Sequence, residues 1–269
     1  MKSHTYFIPL ILAASLMFSG CQDNAVETAA PAVAASQTEN DQTQTSLVRT
    51  PSATIAALER HAAVQAAFAD IESRRAENVA TLIELTEIPA PPFGEDKRGK
   101  HLAELFRKAG IKDVQIDEVG NVIARRPGTS GEKTIAMVAH IDTVFPIETD
   151  VKVRKEGNIY YAPGIGDNTQ GVVLMLSLIK AMAAQNMETE ADILFIGNVG
   201  EEGLGDLRGV KHLYREGAET IDSMIAIDGG GQSHIVHGAV GSYRYRVTFQ
   251  GRGGHSCLLY TSPSPRDRG

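Results

Sequence analysis

The amino-acid sequence predicts an α/β fold in which helices cover a mixed, mostly parallel sheet. Three segments have the almost continuous apolar character of strands buried on both faces: KTIAMVAH, ADILFIGNV and IDSMIAID. Helical patterns follow the first two strands, namely GVVLMLSLIKAMAAQ and GVKHLYREG. Buried strands that alternate with helices are typical of a layered α/β sheet.

The segments on either side of this core add further predicted elements. A helical spacing of apolar residues runs from Ile55 to Ile83, and Pro89 ends it. A further amphipathic helix is predicted over 99–109, and two short strands are predicted around Gly120. The alternating pattern of residues 240–249 predicts an antiparallel strand that begins a second structural unit.

The N-terminus carries an export signal rather than part of the fold. Residues 1–20 combine a basic start, a short apolar stretch and small residues directly before Cys21. This arrangement resembles a bacterial lipoprotein signal, which implies cleavage before Cys21, lipidation of its thiol and export across the inner membrane. The expected location is then a lipid anchor on the periplasmic or cell-surface side; the alternative is a plain signal peptide with a chance cysteine. Residues 21–50 are polar and predict a flexible tether.

Charge and cysteine content exclude some classes of protein. The net charge of -7 argues against a nucleic-acid partner. The two cysteines, Cys21 and Cys257, lie at opposite ends of the chain, so the sequence predicts no disulfide framework in the fold.

Each buried strand of the predicted sheet leads into acidic residues, and the first strand also ends in a histidine. A glycine-rich loop between the first two strands carries one more acid. The six residues are His140, Asp142, Asp167, Glu201, Glu202 and Asp228. Because the carboxyl ends of parallel strands meet at one edge of a sheet, we expect these side chains to lie close together.

Each of these residues also has a purely structural explanation. The alternatives are a capped strand-end histidine at His140 and Asp142, acids at a helix N-terminus at Glu201 and Glu202, a helix N-cap at Asp167 and a turn at Asp228. Taken together, however, so many carboxylates at one edge would repel one another without a cation. Mixed histidine and carboxylate ligands favour zinc, or less selectively cobalt or manganese. We expect no Ser–His pair or thiol near these residues that would offer nucleophilic catalysis instead.

Five motifs occur in an order that resembles the zinc exopeptidase family: HIDTV, GIGDNTQG, GEEGLGD, IDGG and GRGGHS. That family includes peptidase T, glutamate carboxypeptidase, acetylornithine deacetylase and succinyl-diaminopimelate desuccinylase. The resemblance covers about residues 76–256. It implies a three-layer catalytic domain over 51–238, followed by the first strand of an α+β lid or dimerisation domain over 239–256.

The resemblance also implies a site with two zinc ions. In that assignment His140 and Asp228 bind one ion, Glu202 binds the other, and Asp167 bridges both. The family takes a further histidine ligand from a segment beyond the lid, and no residue after His255 matches it.

Three further residues receive catalytic roles from the resemblance. Glu201 is the general base, and Asp142 orients the ring of His140. His255 lies in the lid, which commonly mediates dimerisation in the family, and stabilises the oxyanion; the alternative is a glycine-rich hairpin with an idle histidine. The remaining histidines match no family position and are expected to be structural or at the surface: His61, His101, His212, His234 and His237.

The last residues have a different character. Residues 257–269 include CLLYTSPSPRD, which resembles an in-frame translation of a transposase-based sequencing adapter. We therefore expect native sequence to end near Ser256, the 269-residue chain to be inactive, and no role for Cys257.

The function predicted from the sequence is metal-dependent hydrolysis of amide bonds in small peptides, as in exopeptidases, dipeptidases and tripeptidases. Within the same family, the alternative is deacylation of N-acyl amino acids. An alternative of another class is a non-catalytic surface lipoprotein that binds peptides, although such a protein would not need Glu201.

Overall fold

The computed structural model describes residues 51–229, 235–238, 241, 245 and 247–248. The helices are α1 Pro51–Glu59, α2 Ala62–Ser73, α3 Arg75–Thr86, α4 Asp96–Lys108, α5 Gln170–Ala184 and α6 Arg208–Leu213. The strands are β1 Asp113–Ile116, β2 Val122–Arg126, β3 Thr134–His140, β4 Arg154–Glu156, β5 Ile159–Tyr161, β6 Asp192–Asn198 and β7 Ser223–Ala226. Short helical turns are present at Ile165–Thr169 and Gly203–Gly205.

A five-stranded mixed sheet in the order β1-β2-β6-β3-β7 organises these elements. Strand β3 pairs in parallel with both β6 and β7, whereas β2 pairs antiparallel with β1 and β6. His140 lies opposite Asn198 in the β3–β6 register, so these two strands end at the same level. The loops that follow them therefore leave the sheet side by side, and the predicted α/β fold with a mixed sheet is confirmed.

The side chains of β6 show why the sheet is covered on both faces. Ile193 and Phe195 belong to a core cluster with residues of α3, α4 and α5, and α2 packs on α5. Leu194 and Ile196 face the other way and pack with Leu213 of α6. This alternation of strand residues between two apolar layers explains the continuous apolar run of the sequence. The result is the expected arrangement of three layers.

Helix α4 lies against the sheet through a regular stripe of side chains. Leu102 and Phe106 are four residues apart, lie on the same face of the helix and are 0% exposed. The helix begins at Asp96, three residues earlier than the sequence pattern predicted. An acidic side chain in the first turn interacts favourably with the positive end of the helix dipole.

Other parts of the sequence prediction need adjustment. The helical pattern before Pro89 forms three consecutive helices, α1 to α3, whose number the sequence pattern did not specify. The antiparallel hairpin of β4 and β5 was not predicted, although Gly157 with its positive φ between two short strands is a typical hairpin signal. None of the described helices has the length and apolar composition needed to cross a bilayer.

The proposed export signal, tether and C-terminal tail lie outside the described residues, as does most of the predicted strand over 240–249. The described helices and strands all fall within the unit Thr45–His234.

Candidate metal centre

His140 is the last residue of β3 and its side chain is 3% exposed. Its ring Nδ1 lies 3.0 Å from the backbone carbonyl oxygen of Asp142. Its ring Nε2 lies 3.0 Å from Oδ1 of Asp167 and 3.6 Å from Oδ1 of Asp228. A proton on Nδ1 that is donated to the carbonyl leaves Nε2 directed at the acidic side chains.

Asp142 joins the ends of β3 and β6. Its carboxylate is 0% exposed and accepts the backbone N–H of Glu201 on Oδ1 at 3.1 Å and that of Glu202 on Oδ2 at 2.9 Å. The same Oδ1 lies 3.6 Å from Nδ1 of His140. Burial alone would raise the pKa of Asp142, but His140 and the two N–H donors outweigh burial and lower it. The buried carboxylate therefore stays ionised and connects the two loops.

Glu201 and Glu202 follow β6 after a short turn at Gly200. Gly200 has a φ of +66°, and a Cβ there would collide with the side chain of Arg208. The next α-helix begins only at Arg208, so the two acids do not occupy the first turn of an α-helix. Burial raises the pKa of both side chains; Asp167 raises both further, whereas His140 opposes the rise. Both carboxylates therefore lie in a crowded, acidic environment.

Asp167 lies in the turn Ile165–Thr169 that precedes α5, and its side chain is 64% exposed. The alternative role of this residue as a helix cap is taken by its neighbour: Oδ1 of Asn168 accepts the N–H of Gly171 at 3.2 Å. The carboxylate of Asp167 instead faces His140.

Asp228 follows β7 by two residues and reaches the same histidine from the other neighbour of β3. The amide of Asn168 donates to the carbonyl oxygen of Ile227 at 2.7 Å, which ties the β7 loop to the Asp167 loop. The Asp228 carboxylate is 51% exposed and accepts the N–H of Gly229 at 2.6 Å.

These residues form one cluster of possible metal ligands. One donor atom each from His140, Asp167 and Glu202 lie within 4.8 Å of one another, and Asp228 adjoins the same histidine nitrogen. In the part of the chain that the structure describes, no Lys or Arg forms an ion pair with these acids or with Glu201. The imidazole and carboxylate donors fit a divalent cation such as zinc.

The protonation of His140 supports this fit. Burial lowers the pKa of His140, but the carboxylate of Asp142 and the charges of Asp228 and Glu201 outweigh burial and raise that pKa to about 9. The acidic surroundings therefore favour a positive charge at Nε2, where a cation could take the place of the proton.

The histidines that match no family position were expected to be structural or at the surface. The side chain of His61 accepts the N–H of Ala63 at the start of α2, and His101 and His212 pair with Glu84 and Glu118. None of these contacts involves the cluster, which agrees with a structural role. His237 is exposed, in agreement with a position at the surface. His234 and His255 lie outside the described residues, so the oxyanion role of His255 stays a prediction.

The buried amide of Asn121 supports the site and was not predicted from the sequence. Asn121 is 0% exposed, and its Oδ1 accepts the N–H of Val199 at 3.1 Å, two residues before Glu201. Its Nδ2 donates to Asp117 at 2.7 Å and to the carbonyl oxygen of Gly209 at 3.0 Å. In the sequence, Asn121 is a polar residue directly before strand β2. Asparagine is also common in loops, so its position alone does not indicate a buried role.

Comparisons with known proteins point to one group of enzymes. Residues 121–241 match the model of peptidase family M28, a range that contains the whole cluster. A putative LysW-lysine/LysW-ornithine hydrolase of Pyrococcus abyssi is 34% identical over 133 residues, which are 49% of this chain and 36% of that protein. Carboxypeptidase G2 of a Pseudomonas species is 26% identical over 140 residues, which are 51% of this chain and 33% of that protein. These sequence matches fit the zinc exopeptidase family.

Among solved structures, that of aminopeptidase PepT from Bacillus cereus is similar to this chain. The TM-score is 0.49, and the identity is 28% over 57% of this chain and 43% of that chain. The chain spans between 33% and 50% of the length of the curated relatives that it matches.

The double acceptor role of Asp142 predicts a measurable loss in the variant Asp142→Asn. The amide keeps one acceptor oxygen, so the N–H of either Glu201 or Glu202 loses its buried partner. We expect the free energy of unfolding to fall by about 1–3 kcal/mol, measured by urea denaturation in the presence of a chelator.

Asp206→Asn is the matched control, because its side chain is 74% exposed and pairs with Lys211 at the surface. It should cost about 0–1 kcal/mol. Equal losses in the two variants would show that the buried contacts of Asp142 contribute nothing specific.

Proposed function

We propose that this chain, whose sequence matches fit the zinc exopeptidase family, comes from an enzyme that hydrolyses amide bonds in small peptides with the help of bound metal ions. The observation that carries the proposal is the convergence of donor atoms from His140, Asp167 and Glu202 within 4.8 Å, where the ends of β3 and β6 meet the loop before α5. The match to peptidase family M28 and the similarity to carboxypeptidase G2 support a peptide substrate.

The proposed site holds two zinc ions. His140 and Asp228 would bind one ion and Glu202 the other, with Asp167 between them, which is consistent with the contacts of the His140 ring with both aspartates. When bound, the ions would polarise the scissile carbonyl and lower the pKa of a water molecule. The chain contributes the fixed direction of the ring, since Nδ1 of His140 is engaged by the Asp142 carbonyl and Nε2 remains for a cation.

Glu201 is the proposed general base. Its main chain is held by Asp142, whereas its carboxylate makes no ion pair with a Lys or Arg among the described residues. Burial and the neighbouring acids Asp228, Asp142 and Asp167 raise the pKa of this carboxylate, which suits a group that must accept a proton and give it back. Glu201 would take a proton from the attacking water and deliver it to the leaving amine.

A deacylase is the second candidate for the same chemistry. Its support is the 34% identity to a protein named as a putative hydrolase of LysW-lysine and LysW-ornithine. N-acyl amino acids and peptides share the amide bond that the proposed residues would cleave. Parallel assays with dipeptides, tripeptides and N-acetyl amino acids distinguish the two candidates by their relative kcat/KM.

We also propose a lipid anchor at Cys21, supported by the sequence of residues 1–21 alone. Expressed in a bacterial host, the protein should enter the detergent phase in detergent partitioning, and Cys21→Ala should move it to the aqueous phase. Aqueous partitioning of both forms would favour the plain signal peptide instead.

Metal binding should depend on the cluster and not on other histidines or acids. In the 269-residue chain, we expect His140→Ala, Asp167→Asn and Glu202→Gln each to weaken Zn²⁺ or Co²⁺ binding by at least about 10-fold, measured by isothermal titration calorimetry, because each removes a donor.

His61→Ala and Glu72→Gln are the matched controls for this titration. His61 caps α2 at the surface, and the Glu72 side chain is 77% exposed on the same helix. Both should leave the metal affinity unchanged. An affinity that responds equally to control and cluster variants would contradict the proposed centre.

Substitution of Glu201 should lower the catalytic rate without lowering the metal affinity. In a preparation that hydrolyses dipeptides, Glu201→Gln should lower kcat by about 10²–10⁴-fold, since the amide cannot accept the proton, while the metal affinity stays near that of the wild type. Dipeptide hydrolysis and metal titration of the same preparations measure both quantities. Loss of metal with loss of activity would instead make Glu201 a ligand, and unchanged activity would favour the non-catalytic alternative.

A further inference from the structure

Arg98 occupies an unusual place for a charged residue. It lies on the same face of α4 as Leu102 and Phe106, at the same four-residue spacing, and is 2% exposed. Apolar side chains normally fill such a stripe, because a charge is costly to bury unless hydrogen bonds compensate it.

The guanidinium of Arg98 is compensated by carbonyl oxygens. It donates from Nε and Nη2 to Ile88 at 2.9 and 2.6 Å, from Nη2 to Thr86 at 3.3 Å and from Nη1 to Ile141 at 2.9 Å. Among the described residues it makes no ion pair; burial lowers the pKa of Arg98 to about 10, and the charge of Asp142 opposes this shift. The planar group thus links the end of α3 to the loop after β3.

The bond to Ile141 is important because of the residues on either side. Ile141 lies between His140, which belongs to the cluster, and Asp142, which holds the backbone N–H groups of Glu201 and Glu202. The N–H of Ile141 donates to the carbonyl oxygen of Asn198 at 2.8 Å, whereas its own carbonyl oxygen accepts from Arg98. The main chain between the two site residues is therefore held from both sides, by β6 and by α4.

We propose that Arg98 is a positioning residue of the metal centre: by holding the Ile141 carbonyl, it fixes the directions in which His140 and Asp142 leave the main chain. The inference rests on the proposed function, because it assumes that His140 binds a metal ion. Arg98 itself contacts neither the ligand nitrogen nor the acids of the cluster. It acts through the backbone, at a position that sequence reasoning did not select.

Two variants distinguish the charge of Arg98 from its hydrogen bonds to the three carbonyl oxygens. Arg98→Lys keeps the charge and most of the stem but loses the planar fork, so one ammonium cannot span the carbonyls of Thr86, Ile88 and Ile141. Arg98→Met keeps the stem and loses every donor. We expect both variants to weaken Co²⁺ binding by about 10- to 100-fold in the full 269-residue chain, as is typical for residues that support metal ligands.

Phe106→Leu is the matched control, because it alters the same buried face of α4 without removing a hydrogen bond. Each protein is first tested for folding by circular dichroism and urea denaturation, and then titrated with Co²⁺. The visible absorption spectrum of the bound ion provides a second readout, since it reports the arrangement of the ligands. Phe106→Leu should lose stability yet keep the wild-type affinity and spectrum, whereas Arg98→Lys should change both.

Wild-type affinity and spectrum in folded Arg98→Lys and Arg98→Met would overturn the inference and leave the metal centre intact. Equal loss of affinity in Phe106→Leu would also overturn it, because the effect would then follow stability alone. Failure of the wild-type chain to bind Co²⁺ or Zn²⁺ is a different result: it would contradict the proposed centre itself, and the positioning role with it.

Discussion

The buried carboxylate of Asp142 is the contact on which the arrangement of the site depends. It accepts the backbone N–H groups of Glu201 and Glu202 and lies beside the ring of His140. A fully buried carboxylate is costly without partners, and its removal from such a network leaves donors unsatisfied. Because β3 and β6 are adjacent and parallel and end in register, one side chain can join both loops. The fold thus brings an imidazole and two acids together through one acceptor group.

The same principle recurs at the other loops. Asn121 holds the main chain at Val199, shortly before the two glutamates, and Asn168 holds the carbonyl of Ile227, next to Asp228. In each case a buried polar side chain fixes a backbone position adjacent to a site residue. The acids themselves are therefore free of Lys and Arg partners within the described residues and remain available to a cation. A main chain held in place, with carboxylates that have no Lys or Arg partner among the described residues, is the combination that a preformed metal site requires.

The sequence predicted the layers of the fold and the convergence of its polar groups because both follow from simple periodicity. The residues that follow parallel buried strands lie at one edge of the sheet. The sequence alone therefore predicted that His140, Glu202 and Asp228 lie close together. The supporting contacts could not be predicted in this way. Asp142 reaches residues 59 and 60 positions away, and whether Asp167 or Asn168 caps α5 depends on the local backbone rather than on residue type.

The central claim is that the three neighbouring strand ends and the loop before α5 form one metal centre. The most direct test is anomalous diffraction at the zinc absorption edge from crystals of the chain grown with Zn²⁺. We expect anomalous density beside Nε2 of His140 and the carboxylates of Asp167, Glu202 and Asp228, with each of these ligand atoms about 2.0–2.2 Å from a zinc ion. Zinc bound only at other residues, with this cluster empty in the same crystal, would contradict it.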